Sequence, residues 1–441
     1  MTNGHALTRD TTSRLPELHL QRAEAHDEAR RSARGASVLE RIARAALHAR
    51  LARITWGRIE LRDADGAWSF GTAAEGAPDV HVDVRDASLY LDVAARGTVG
   101  AGEAFMAGAW TCDDLVGIVR VFVRNRAVLD SMERGVARAG AWALKLWHAR
   151  RDNTRAGSRS NIAHHYDLGN EFYGLFLDST RMYSCAWWPR PEMTLEEAQL
   201  ARLDRICDKL ELGPRDHLLE IGTGWGGLAV HAARTRGCRV TTTTISKEQH
   251  AFALERVRAE GLEGRVEVLL SDYRDLQGTY DKLVSIEMIE AVGERWLDTY
   301  FERCDALLRP NGLMLLQSIT IRDQHYEQAL RAVDFIQRHV FPGSFMPSIA
   351  ALSERVARKT DMTIAHLEDI GPHYARTLRE WRERFLARRE DVKALGYSDE
   401  FQRMWEFYLA YCEGGFEERA LGDVQILLQK PLARRAPFGA A

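Results

Sequence analysis

The chain has 441 residues, of which 45% are hydrophobic and 28% are charged, and its formal net charge at pH 7 is -3. This length predicts two or three domains, and the composition is that of a globular chain with a buried core, which excludes disorder as the main state. The nearly balanced charge also excludes a dominant nucleic-acid-binding tail. We therefore expect no nucleic-acid partner.

The N-terminus and the cysteines bear on the cellular compartment. No run approaches about eighteen apolar residues, and the start, MTNGHALTRDTT, lacks the apolar segment of a secretory signal. The six cysteines lie far apart without a C-x-x-C pair, so the pattern predicts neither a disulfide framework nor a metal site. We expect a cytoplasmic protein with free thiols and no bound metal.

The first part of the chain predicts a small α+β domain over residues 1–151. Residues 1–55 show helical spacing, and the strand-like runs that follow are Arg53 to Leu61, Val80 to Val84 and Ser88 to Val93. Glycines at 97, 100, 102 and 108 then break the pattern. The polar, turn-rich stretch 152–160 predicts a linker to a second domain over residues 161–441.

Positive charge is concentrated in residues 116–159, which contain ten basic and three acidic residues. Basic residues such as Arg120, Arg124, Arg138 and Lys145 interleave there with apolar and aromatic ones. This pattern is typical of a basic amphipathic helix on an anionic membrane. It also fits an ordinary amphipathic helix that packs on the next domain, so both interpretations stay open at this point.

From about residue 200 onward, short apolar runs alternate with helical periods. The predicted strands are His217 to Ile221, Arg239 to Ile245, Val266 to Leu270, Lys282 to Glu287, Leu313 to Ile319 and Val424 to Gln429. This alternation predicts an α/β domain with a doubly wound parallel sheet. Because such sheets bind ligands beyond the carboxyl ends of their strands, the residues after each strand are candidate site residues.

A glycine-rich loop follows the first of these strands. Gly222, Gly224 and Gly227 fit the G-x-G-x-x-G spacing, which alone is a weak sign of a dinucleotide site. A nicotinamide site needs an acid at the end of the second strand, but that strand ends in Thr242 to Ser246 without one. The acid is instead Glu220, directly before the glycines. This arrangement is typical of S-adenosylmethionine methyltransferases, so we predict a methyl donor and not a hydride carrier.

Five sequence blocks carry a family resemblance: HYDLGN at 165–170, YSCAWW at 183–188, EIGTGWGG at 220–227, DYRD at 272–275 and EAVG at 290–293. Together they resemble the cyclopropane-fatty-acyl-phospholipid synthases and the related mycolic-acid methyltransferases. The resemblance implies a Rossmann-like class I methyltransferase sheet. It also implies transfer of a methyl group from S-adenosylmethionine to the cis double bond of an acyl chain in a membrane phospholipid.

The resemblance further implies the residues that hold the cofactor. They are Tyr183, Ser184, Glu220, Gly222, Gly224, Thr244, Ser246, Gln249, Asp272 and Tyr273. The implied partner is an unsaturated phospholipid in an anionic membrane, which favours the membrane interpretation of the basic helices. We therefore expect a peripheral protein at the inner membrane surface, and we expect a homodimer.

In the family, methyl transfer gives a carbocation, and a bicarbonate ion then removes a proton so that a cyclopropane ring closes. Cys185, Glu290, Ile319 and Tyr374 match the positions that hold this ion. Where the family commonly has a histidine, this sequence has Gln317, which can bind an anion but cannot carry charge. Aromatic faces can stabilise the carbocation, and the candidates for this role are Tyr166, Tyr183, Trp187, Phe335 and Tyr374. His165 is the remaining predicted residue of the site and is expected to act as a hydrogen-bonding group.

Glu287 is a second departure, because a small residue is usual at that position in the family. Glu287 and Glu290 are two carboxylates that would repel a bound anion. We hypothesise that Glu287 supplies the base itself or fills the bicarbonate position, so the need for bicarbonate is in doubt. The alternative is that Glu287 caps the following helix or pairs with an arginine.

Three functions fit the sequence. The first forms a cyclopropane ring on phospholipid acyl chains. The second resolves the same carbocation into a methylene- or methyl-branched chain, and the third is a lipid-surface binding protein without catalysis. Two apolar stretches, Arg331 to Pro347 and Trp405 to Tyr411, are candidates for an acyl channel or for ordinary core packing.

Overall fold

The computed structural model describes residues 36–132, 153–154 and 168–434. The N-terminal part comprises α1 (Val38–Leu51), β1 (Gly57–Asp63), β2 (Gly66–Thr72), β3 (Asp79–Val84), α2 (Ser88–Met106), β4 (Trp110–Cys112), α3 (Leu115–Arg124) and α4 (Arg126–Met132). Its four strands form one sheet in the order β2-β1-β3-β4, in which β1 and β3 run parallel and the other neighbours run antiparallel.

The strand predicted at Ser88 to Val93 is wrong, because these residues begin helix α2. Leu89, Tyr90 and Val93 are all buried, and their spacing also fits one face of a helix. Gly97 lies inside α2 with φ +57°, which marks a kink and not the end of the element. In so short a run, the spacing of the apolar residues therefore did not distinguish a strand from a helix.

The C-terminal part carries the larger sheet. Its elements are α5 (Asn170–Gly174), α6 (Leu195–Lys209), β5 (His217–Ile221), α7 (Gly227–Arg236), β6 (Arg239–Thr244), α8 (Lys247–Ala259), β7 (Val266–Leu270), β8 (Tyr280–Ile286), α9 (Leu297–Leu307), β9 (Leu308–Ile321), α10 (Asp323–Ala329), α11 (Phe335–His339), α12 (Ile349–Lys359), β10 (Thr363–Asp369), α13 (Gly371–Ala387), α14 (Arg389–Ala394), α15 (Asp399–Glu417) and β11 (Leu421–Gln429).

The seven-stranded sheet confirms the predicted α/β fold. Its order is β10-β11-β9-β8-β5-β6-β7, with parallel pairing from β9 to β7 and antiparallel pairing of β10 and β11. All six predicted strands are present. The central strands β5 and β8 bring their carboxyl ends to one edge of the sheet, and the candidate site residues follow them.

The two parts pack directly on each other. Helix α15 contacts α2 and α3 of the N-terminal part. At Gly102 of α2 an added Cβ atom would lie 2.5 Å from the Phe335 ring and 3.1 Å from the Phe407 ring, so glycine permits a close approach. Since only residues 153–154 of the proposed linker are described, the domain boundary stays a prediction.

The described part of the basic segment uses some of its charge inside the protein. Nε of Arg120 lies 2.7 Å from a carboxylate oxygen of Glu418, and Arg124 also binds that carboxylate. Arg138 and Lys145 lie outside the described residues. None of the helices in the described ranges is long and apolar enough to cross a membrane.

Candidate active site

A cavity of about 1420 Å³ lies at the carboxyl ends of β5, β6 and β8. The glycine loop after β5 and the loop after β8 line one part of it. Apolar side chains of the N-terminal part line another, among them Leu61, Val82 and Val93. Both stretches predicted for an acyl channel also line the cavity, through Ile336, Phe341 and Met346 of the first and Phe407 and Tyr408 of the second. The cavity therefore joins the predicted cofactor residues to an apolar chamber, and only the contribution of the N-terminal part to that chamber was not predicted.

The glycine loop presents bare backbone to this cavity. Gly222 has φ +105° and Gly224 has φ +52°, in the region that favours glycine. A Cβ atom at Gly222 would lie 3.2 Å from Met288, whereas one at Gly224 would meet no atom within 4 Å. A ligand can approach the main chain closely here, as the sequence predicts.

Glu220 is the next-to-last residue of β5, lines the cavity and is buried. One of its oxygens accepts a 2.6 Å hydrogen bond from the Thr242 hydroxyl, which the neighbouring strand β6 supplies. Burial raises the pKa of Glu220 to about 8. A ligand that brings positive charge or hydroxyl donors would restore the charged carboxylate, so the site fits a cationic, hydroxylated cofactor.

Other predicted cofactor residues also line the cavity. The Tyr183 hydroxyl lies 2.7 Å from that of Tyr408, and Thr244 donates a 2.9 Å hydrogen bond to Gln249. The hydroxyls of Ser184 and Tyr273 are buried and have no hydrogen-bond partner among the described residues. Buried polar atoms without partners are costly, so these two hydroxyls fit a polar ligand that would satisfy them.

Four predicted residues stand apart from this arrangement. Ser246 does not line the cavity; its hydroxyl accepts a hydrogen bond from the Gln249 amide and caps α8. Asp272 lines the cavity, but both of its carboxylate oxygens already bind Arg274, at 2.8 and 2.7 Å. His165 and Tyr166 lie outside the described residues.

Glu287 directly follows β8 and faces the cavity. Its Oε1 accepts hydrogen bonds from the Cys185 amide at 2.8 Å and the Gln317 side chain at 2.7 Å. Its Oε2 accepts a 2.6 Å bond from the Tyr374 hydroxyl. The Glu287 carboxylate thus binds three groups that the resemblance implies for bicarbonate. It does not cap the turn that follows, because Met288 occupies that position without a side-chain bond.

Glu290 lies one turn further and also faces the cavity. Its Oε1 accepts hydrogen bonds from the Ile319 amide at 2.7 Å and from the Ser318 hydroxyl at 2.9 Å. Burial, followed by the nearby Glu287 carboxylate, raises the pKa of Glu290 to about 8. Burial likewise raises the pKa of Glu287. Because the two carboxyls are buried near each other, ionisation of one disfavours ionisation of the other.

Behind Glu287 the structure adds residues that the sequence motifs did not identify. The Gln317 amide donates to Glu287 and, at 3.0 Å, to Asp423 on β11. Gln425 in turn donates a 3.0 Å bond to the Gln317 oxygen. Asp423 directly precedes the predicted last strand, Val424 to Gln429. Nothing in the local sequence distinguishes it from an acid exposed to solvent, so it was not predicted as a site residue.

The structure supports a passive role for the Cys185 side chain. Its sulfur is fully buried and donates to the Ala186 carbonyl at 3.3 Å, and burial raises the pKa of the thiol well above its usual range. A protonated, enclosed thiol is a poor nucleophile. Of the aromatic candidates, Tyr183 and Tyr374 line the cavity, whereas Trp187 and Phe335 do not.

The sheet order, the glycine loop and the acid at the end of β5 define a Rossmann-like class I methyltransferase. A family model described as mycolic acid cyclopropane synthetase matches residues 153–426. The chain belongs to this family and is an S-adenosylmethionine-dependent methyltransferase, as the sequence resemblance implied.

Known relatives agree with this assignment. Tuberculostearic acid methyltransferase UfaA1 of Mycobacterium tuberculosis is 39% identical over 396 residues, covering 87% of this chain and 91% of that protein. Cyclopropane-fatty-acyl-phospholipid synthase of Escherichia coli is 35% identical over 358 residues, covering 81% and 88%. The solved structure of mycolic acid cyclopropane synthase CmaA1 complexed with SAH and CTAB is 32% identical with a TM-score of 0.58, covering 62% of this chain and 98% of that one.

Proposed function

We propose that this enzyme methylates the cis double bond of an unsaturated acyl chain in a membrane phospholipid, and that Glu287 is the base that completes the reaction. One observation carries the proposal. The Glu287 carboxylate faces the cavity and is bound by the Cys185 amide, Gln317 and Tyr374. A carboxylate held this way can take a proton from a substrate cation without help from a bound anion.

The size and lining of the cavity support an acyl substrate. A small-molecule pocket has about 300–1,000 Å³, and this cavity, at about 1420 Å³, exceeds that range. Apolar side chains of the N-terminal part, including Leu51, Ile59, Leu61 and Val82, line the cavity together with the site residues. An extended hydrocarbon chain would bury itself there favourably.

The residues divide the chemical work. S-adenosylmethionine supplies an electrophilic methyl group when it is bound. The glycine loop and Glu220 hold the donor, and the dry cavity keeps water from the substrate cation. Tyr183 and Tyr374 offer aromatic faces to that cation. A proton then moves from a carbon of the cation to Glu287, while the electrons of the broken C–H bond stay with the substrate.

Two products follow from this proton transfer. If Glu287 removes a proton from the added methyl group directly, the freed electrons close a cyclopropane ring, as first predicted. If a hydride shift moves the charge before deprotonation, a branched chain results. The departures from the family pattern at Gln317 and Glu287, and the 39% identity with a tuberculostearic acid methyltransferase, favour this second candidate.

The location also belongs to the proposal. A phospholipid substrate supports a peripheral protein at an anionic membrane surface, with the inner leaflet as the predicted site. The homodimer rests on the sequence resemblance alone and would be checked by light scattering.

Product analysis tests the function. The protein is incubated with S-adenosylmethionine and vesicles of unsaturated phospholipid, and the acyl chains are examined by mass spectrometry and proton NMR. We expect each modified chain to gain one carbon, and NMR to distinguish ring protons from those of a branch. Reactions without S-adenosylmethionine are the control. If no acyl chain gains carbon, the proposal fails.

A further inference from the structure

A second carboxyl group lies behind the base and faces away from the cavity. Asp423 on β11 is fully buried and does not line the cavity. We propose that Asp423 is a positioning residue that holds a proton and donates a hydrogen bond to Glu287, so that the two carboxyls act as one base with a single negative charge. This inference rests on the proposed function, in which Glu287 is the base.

The geometry of Gln317 couples the two carboxyls. Its amide nitrogen donates to Oε1 of Glu287 at 2.7 Å and to Oδ2 of Asp423 at 3.0 Å. Gln425 binds the amide oxygen, which fixes the orientation of the group. Both carboxyls are buried and accept a hydrogen bond from this one nitrogen, so they lie close together. A glutamine has two N–H donors on one nitrogen and can bridge both acids, which a singly donating histidine nitrogen cannot do.

Charge balance requires a proton in this pair. The titratable and charged groups that face Asp423 are Glu287, Glu290, Cys185, Tyr374, Arg202 and, through the Asp423 amide, Asp369. Of these, Arg202 alone is cationic. Two buried carboxylates that share one donor nitrogen cannot both ionise at moderate cost, so one retains a proton. Burial and the Glu287 charge raise the pKa of Asp423 well above its usual range.

The hydrogen bonds indicate which carboxyl keeps the proton. Glu287 accepts from the Cys185 amide, Gln317 and Tyr374, so its ionised form is the better stabilised. The Asp423 carboxyl accepts one hydrogen bond from an amide, that of Gln317, and another neighbour is the weakly donating Cys185 thiol. The negative charge therefore lies on Glu287 and the proton on Asp423. During the reaction Glu287 gains the substrate proton, the pair then holds two, and one leaves to water after product release.

The pH dependence of kcat/KM tests the role of Asp423. Asp423→Leu removes the donor to Glu287, so we expect the acid-limb pKa to rise by about one unit and kcat/KM on that limb to fall about tenfold. Asp423→Asn keeps an N–H donor and is expected to restore most of this loss. Asp369→Asn, at the neighbouring partly exposed acid, is the matched control and should leave the limb in place. If the Asp423→Leu protein is folded and the acid limb of its kcat/KM profile does not move, the inference is wrong.

A second measurement needs neither substrate nor turnover. Infrared spectra of protein with ¹³C-labelled aspartate are expected to show, at neutral pH, a protonated carboxyl band that Asp423→Asn removes. If the variant removes no such band, the inference is wrong even where activity is normal. An enzyme that shows the band but methylates no phospholipid would instead refute the proposed function.

Discussion

Glu287 adopts an unusual backbone conformation for the sake of its side chain. Its φ of +46° lies in the left-handed region, where a residue other than glycine costs about 1 kcal/mol or more. Its amide donates a 2.9 Å bond to the Gln317 carbonyl, and its carboxylate is held by three side-chain or backbone donors. These bonds offset the strain and fix the carboxylate toward the cavity.

Replacement of Glu287 tests whether the base is this side chain or a bound bicarbonate ion. We expect Glu287→Gln to lower kcat at least about 100-fold, because the amide fills the site without accepting a proton, and added bicarbonate should not rescue it. Glu287→Gly relieves the left-handed backbone and leaves room for an anion, so bicarbonate should restore part of its activity. Rates are measured with and without added bicarbonate. A fully active Glu287→Gln enzyme would disprove the role of Glu287.

The residue scale also shows how far sequence reasoning reached. The sequence showed that Glu287 and Glu290 are close, because Glu290 begins a recognised block and Glu287 lies three residues before it. It also showed the unusual Gln317, because that residue lies in a predicted strand of the sheet. Asp423 was not, because its contact with Glu287 depends on β11 inserting beside β9, far along the chain. The order of strands in a sheet depends on the tertiary fold and cannot be read from the spacing of residues along the chain.

At the scale of elements, helix α2 forms part of the wall of the apolar chamber. The sequence assigned its start to a strand. The two stretches proposed for an acyl channel do line the chamber, but the contribution of the N-terminal part could not be predicted, because its lining residues belong to separate elements: Leu51 on α1, Leu61 on β1, Val82 on β3 and Val93 on α2. By contrast, six of the seven strands of the large sheet were predicted, since most of them are short β-branched or apolar runs between helices. The edge strand β10, Thr363–Asp369, was not predicted, because most of its side chains are exposed.

A bulky side chain in the chamber should shorten the acyl chain that fits. Ala101 lies on α2 and lines the cavity, so Ala101→Phe is expected to lower kcat/KM for long acyl chains about tenfold relative to short ones. S-adenosylmethionine affinity, measured by calorimetry, should not change. Ala94→Phe places the same ring on the exposed face of α2 and is the control. Equal chain-length profiles for the two variants would contradict an acyl chamber in the N-terminal part.

At the scale of the whole molecule, the near-zero net charge conceals ion pairs that join distant segments. The Glu418 side chain is only 2% exposed and binds Arg120 and Arg124, whose guanidinium groups also lie over the Trp56 ring. Part of the basic segment therefore ties the N-terminal part to the end of α15. A membrane role, if the segment has one, falls on its remaining cations.

Removal of Arg120 should consequently lower stability. Arg120→Met leaves a buried carboxylate with one partner fewer, which we expect to cost about 2 kcal/mol, less than for a fully buried pair because Arg120 is partly exposed. Arg62→Met, at an exposed pair with Asp83, is the matched control and should cost under about 1 kcal/mol. Urea unfolding measures both. Equal losses would show that the Glu418 pair contributes no more than a surface contact.

The close approach at Gly102 limits how freely the protein can be divided into modules. Phe335 and Phe407 pack against a bare backbone there, and any larger residue would act as a wedge between the chamber wall and the catalytic sheet. A C-terminal fragment made alone would present those rings to water. The two parts should therefore evolve together. If recombination replaced the N-terminal part, the new part would need an equally small residue where Gly102 faces the two phenyl rings.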